Sequence, residues 1–117
     1  MLTNLGRALR KIRIDHGEIL KDMADKFGVT ASYLSAVENG KRPIPELWEG
    51  IILNNYQLDN QQKEELHRAV IESTNTISFD ISESPYANKE LAFSFARKIA
   101  DLPEEKLLEI KRILGGE

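Results

Sequence analysis

The sequence predicts an all-α chain: five short helices forming a first domain over residues 1–73, then an extension over 74–117 made of a short strand and a helical hairpin. Three observations carry this reading. Apolar residues recur at three- and four-residue spacing along most of the chain, the period of one helix face. Glycine, proline or a capping polar residue punctuates these stretches. Only Thr76–Ser82 departs from helical spacing, alternating apolar and polar residues as a strand does.

The first helix is expected from about Thr3 to His16, with Leu5, Leu9 and Ile12 inward and Gly17 ending it. Arg7, Arg10, Lys11 and Arg13 then occupy its other faces. A second helix covers about Ile19 to Phe27 and a third about Ala31 to Asn39, stopping at Gly40. Between them Gly28 supplies a residue that adopts positive φ without steric cost, and the Thr30 hydroxyl can cap the third helix. Ala24 is small where the two helices cross, and Met23, Phe27, Leu34 and Val37 form one apolar seam. Pro43 and Pro45 enforce an extended link, and Pro45 is placed to begin a fourth helix that runs to about Asn54. Leu47, Ile51 and Trp48 are its inward candidates. Asp59 or Asn60 caps a fifth helix carrying Leu66, Ala69 and Val70 to about Ser73.

The extension reads differently. In Thr76–Ser82 the residues Ile77, Phe79 and Ile81 share one side, opposite Ser78 and Asp80. Two amphipathic helices come next, about Asn88 to Ala100 and Pro103 to Leu114, with Leu91, Phe95, Ile99 and Leu102 forming one stripe and Leu107, Ile110, Ile113 and Leu114 the other. A lone strand cannot satisfy its own backbone groups. Pairing with the same strand of a second subunit across a two-fold axis is the expected solution, with Ile77, Phe79, Ile81, Leu91 and Phe95 at the contact. The alternative is an extended linker that lays Ile77, Phe79 and Ile81 on its own domain.

The run Leu20–Arg42 resembles the helix-turn-helix of the phage-repressor (XRE) family, and ENGKR at Glu38–Arg42 is similar to the segment that succeeds the recognition helix there. The resemblance implies a lambda-repressor-like first domain and a sequence-specific DNA-binding regulator, a repressor that binds a palindromic operator as a homodimer. Related antitoxins pair a similar helix-turn-helix with a protein-binding region, so neutralisation of a partner toxin through the C-terminal half, with autoregulation, is the alternative. One departure stands out. Family members often begin the second helix with a phosphate-binding glutamine, where this chain has Ile19 and Leu20.

The resemblance places the N-terminal residues of the third helix in the major groove. Its base-facing positions match Ala31, Ser32, Ser35 and Ala36. Serine can donate or accept to several bases and alanine can touch a thymine methyl, but no residue offers a bidentate amide or guanidinium pairing. Specificity then leans on apolar contact, water and DNA shape. Tyr33, Asn39, Lys41 and Arg42 are the expected phosphate contacts, with Arg10 and Arg13 extending the basic surface. Tyr33 could instead pack its ring on the domain, and Glu38 is expected to order the helix end.

Charge distribution fits a DNA-facing first half. The net charge is −3, yet residues 1–45 hold 8 Lys and Arg against 5 Asp and Glu, while residues 46–117 hold 8 against 14. Double-stranded DNA and a second copy of the chain are thus the expected partners. The chain has no cysteine, which excludes disulfides, thiolate metal sites and cysteine nucleophiles. His16 and His67 stand apart from metal-ligand spacing, and no catalytic constellation is visible, so no enzyme, cofactor or metal is expected. Polar residues interrupt every apolar run, which predicts no signal peptide and no membrane span, hence a cytoplasmic, nucleoid-associated protein.

Overall fold

The computed structural model describes residues 1–115; the last two residues of the expected extension lie outside them. Among the described residues the regular structure is all helical, and the chain divides into two units, Met1–Ile77 and Ser78–Glu117. In the first unit the elements are α1 (Asn4–Asp15), α2 (Leu20–Phe27), α3 (Ala31–Glu38), α4 (Trp48–Asn55) and α5 (Asn60–Ser73). The second unit holds α6 (Tyr86–Lys98), a single 3₁₀ turn at Ile99–Asp101, and α7 (Glu104–Ile113).

Local chemistry sets the helix ends. Gly6 N donates to the Thr3 hydroxyl (3.0 Å) at the start of α1, and Tyr33 N donates to the Thr30 hydroxyl (3.1 Å) at the start of α3. Asp59 and Gln62 exchange side-chain bonds with each other's backbone N–H, a reciprocal cap on α5. Gly28 ends α2 at φ 72°, the left-handed conformation expected of it, and Val29 N donates back to Ala24 O (3.0 Å).

One contiguous core unites α1–α5. Leu5, Leu9 and Ile12 from α1 meet Met23, Ala24 and Phe27 from α2, Leu34 and Val37 from α3, Trp48 and Ile52 from α4, and Leu66 from α5. Ala24 is fully buried, as the crossing of α2 and α3 requires. The fourth helix corrects the expectation: it starts at Trp48, because Pro43–Leu47 forms a link and turn in which Trp48 N donates to Pro45 O (3.1 Å). That start puts Trp48, Ile52 and Tyr56 on one four-residue row, all buried, and turns Leu47 outward, 75% exposed.

The extension also differs from expectation. No residue of 74–82 is in a strand; Ser82 N donates to the Asp80 carboxylate (2.8 Å) and Ser84 N to Ile81 O (3.0 Å), so the chain turns just where the alternation ends. Within one chain these residues have no ladder partner, and a strand exists only by pairing. Ile77, in the first unit, stands 80% exposed, so its side chain is not laid on that unit as the linker alternative requires. The expected hairpin is corrected too. α6 and α7 do not pack on each other, because the 3₁₀ turn and the extended Leu102–Pro103 pair keep their stripes apart. None of residues 78–115 is buried. No helix among the described residues is long and apolar enough to cross a membrane.

Candidate nucleic-acid interface

The candidate surface is built on α3 and the loop after it. With Leu34 and Val37 buried in the core, the opposite face of α3 carries Ser32, exposed, and Ala31, Ser35 and Ala36, each half-buried. The four expected base-facing residues thus share one accessible surface. It offers two hydroxyls and two methyl groups, with no charge.

Beyond α3 the chain folds back on the helix end. Asn39 Nδ2 donates to Ser35 O (2.8 Å), Gly40 takes φ 75°, and Lys41 N donates to Ala36 O (2.9 Å). These bonds satisfy carbonyls that a helix C-terminus leaves free. They also project Lys41 and Arg42 into solvent, where neither forms an ion pair with a described residue. The Asn39 amide is engaged at the helix end, its nitrogen also lying 3.5 Å from the Ser35 hydroxyl. Tyr33 packs edge-on against Trp48, with ring centroids 6.0 Å apart, and the Arg42 guanidinium sits 6.0 Å from the Tyr33 ring centroid. Its ring is therefore on the domain, while the half-buried residue remains at the edge of the α3 face.

Beside the loop a cleft of about 290 Å³ is lined by Lys41 and Arg42 together with Thr3, Ser73, Thr74 and Thr76. The two cations can attract an anion such as a backbone phosphate, while the Thr3 and Thr74 hydroxyls already donate to the Glu38 and Val70 carbonyls. Arg10 is exposed on α1.

Arg13 is the correction. It is only 7% exposed and pairs through both guanidinium nitrogens with the carboxylate of Glu38, itself 3% exposed; Nη1 also approaches Met23 Sδ at 3.3 Å. A buried guanidinium committed to a carboxylate is not presented to a phosphate. The pair joins α1 to the end of α3, which is how Glu38 orders that end. The signal is present in the sequence: Arg13 continues the four-residue steps of Leu5 and Leu9 and so lies on the inner row of α1.

Two further contacts have no counterpart in the sequence reading. The Glu38 carbonyl accepts from both Thr3 N (2.9 Å) and the Thr3 hydroxyl (3.1 Å), and a Cβ on Gly6 would collide with that same carbonyl. Glycine at position 6 is thus what lets α1 and the α3 terminus touch. At the opposite end of α1, Glu18 accepts from Tyr56 Oη and Lys26 Nζ, both at 2.5 Å. Burial of Glu18 raises its pKa, but the bonds from Lys26 and Tyr56 outweigh burial and leave it below the ordinary value; burial and the neighbouring carboxylate push the Tyr56 hydroxyl strongly up. Comparison of the chain with protein-family models, with curated proteins and with solved structures finds no match.

Proposed function

We propose that this chain is a sequence-specific DNA-binding transcriptional regulator, a repressor that binds a palindromic operator as a homodimer. In this reading α2 and α3 form a helix-turn-helix and the first unit is a lambda-repressor-like domain, with α3 lying in the major groove. The observation that carries it is the accessible α3 face of Ala31, Ser32, Ser35 and Ala36, bordered by the cations Lys41 and Arg42. Core contacts and the Arg13–Glu38 pair hold this face rigid, as base readout demands. The serines and alanines contact base edges; Lys41, Arg42, Asn39, Tyr33 and Arg10 contact the phosphate backbone.

The extension over 74–117 supplies the homodimer contact, with Ile77, Phe79 and Ile81 pairing as a strand across the two-fold axis and Leu91 and Phe95 packing nearby. Two recognition helices about 34 Å apart then meet successive major grooves. The unburied second unit also supports a second reading, an antitoxin-type module whose C-terminal half holds a foreign protein.

Selection of bound sequences from a random DNA pool tests the main reading. The expected product is a palindrome with half-sites one helical turn apart, bound far more tightly than scrambled DNA. Equal affinity for selected and scrambled sequences rejects it.

A further inference from the structure

The second unit has no buried residue among those described, a physical problem that association with another chain can solve. It comprises about 40 residues, near the size below which a unit needs disulfides, metal or association to hold together. The chain has no cysteine, and no cluster of metal-binding side chains occurs among the described residues. Yet α6 leaves Tyr86 at 77% and Phe93 at 62% exposure on one face, and α7 does not cover them. Association with another chain would bury them.

The pattern on α6 indicates which chain. A shallow groove runs along one face, lined by Tyr86, Lys89, Glu90, Phe93, Ser94 and Arg97. On this face Phe93 lies at the middle, with Glu90 one turn before it and Arg97 one turn after it. Neither charge forms an ion pair with a described residue; among the described residues of this unit, the pair that does form is Lys106–Glu109. A face with an acid on one side of its centre and a base on the other is complementary to its own image in the antiparallel sense. Two-fold rotation through a point between Phe93 and Ser94 sets Glu90 opposite Arg97 of a second copy, twice over. The same operation brings Phe93 against its equivalent. Lys89 lies at the margin of this face and Lys98 on the opposite side of the helix, so these bases do not meet.

We infer that α6 is a self-docking surface, pairing antiparallel with α6 of a second copy through Phe93 and two reciprocal Glu90–Arg97 ion pairs. This inference deepens the homodimer reading and rests on it for the choice of a second copy over a foreign protein. It assigns the Tyr86–Phe93 face to the two-fold contact; Leu91 and Phe95, each two residues from Phe93, lie on the far side of the helix and outside that contact.

Charge exchange in the full-length chain, with sedimentation in the absence of DNA as the readout, tests it. Glu90→Arg sets arginine against arginine, and Arg97→Glu sets glutamate against glutamate. Each variant alone is expected to weaken the dimer at least about tenfold. An equimolar mixture of the two restores both ion pairs in a heterodimer and is expected to return association to near the wild-type level. Recovery on mixing cannot arise from misfolding of either variant. A wild-type dimer unaffected by either change overturns the inference and leaves the homodimer to another surface. Failure of the mixture to recover, or a wild-type chain that sediments as a monomer, also overturns it. DNA selection addresses the regulator reading separately.

Discussion

Arg13, Gly6 and Ala24 show how single side chains hold the candidate reading helix in place. Removing one partner of a buried ion pair leaves the other uncompensated, at a cost of about 3–5 kcal/mol. Arg13→Ala should therefore lower stability by that order in chemical denaturation, through the stranded Glu38 carboxylate. Ala24 is fully buried at the α2–α3 crossing, so Ala24→Leu should overpack it by about 1–3 kcal/mol, read as a lower melting temperature. Gly28→Val should also destabilise, since φ of 72° is strained for a branched side chain. Glu18 gives a pH signature. Its folded pKa lies below the ordinary 4.5, so its contribution is full above the unfolded value and is lost as pH falls through the folded one. The stability difference between wild type and Glu18→Gln should be constant near neutrality and shrink below about pH 4.5. A difference that persists unchanged in stronger acid would exclude this linkage.

Among the elements, α3 and the loop after it divide the expected DNA contacts into two kinds. Replacing Ser32 or Ala36 with a bulky residue should weaken preferred sequences much more than random DNA. Lys41→Ala and Arg42→Ala should weaken both alike, and each should reduce the slope of log affinity against log salt by about 0.9. Titrations over a range of salt concentrations separate the two behaviours. At this scale much is legible in the sequence. Gly17, Gly28 and Gly40 mark three helix ends because only glycine takes positive φ cheaply, and Asp59 marks a start because its carboxylate reaches the backbone three residues on. Less legible is the start of α4. Pro45 suits a first helical turn and a preceding link equally well, and the burial of Trp48 rather than Leu47 is decided by Phe27, whose ring lies 4.9 Å from the indole. Arg13 is misplaced when its charge is weighed above its helical position. The Gly6–Glu38 contact joins residues far apart in the chain, and no local pattern announces it.

At the scale of the whole molecule, the first unit carries its own core and the second does not. A chain ending at Ile77 should therefore fold as a monomer and bind an operator weakly, because one half-site loses the gain of linking two. Sedimentation together with a DNA titration would check this, and a truncated chain that dimerises as tightly as the full one would place the interface in the first unit. In the proposed homodimer the strand at 74–82 would form only by pairing between two chains, which a single chain does not show. The absence of burial in α6 and α7 has a further consequence for exchange of amide protons with solvent. Amides in α1–α5 open with free energies fixed by their own packing. Those of α6, if its neighbours come from a second copy, gain protection by mass action. Their exchange should slow as the protein is concentrated while that of the first unit stays constant, so one molecule would contain a region whose rigidity reports how much of the protein is present.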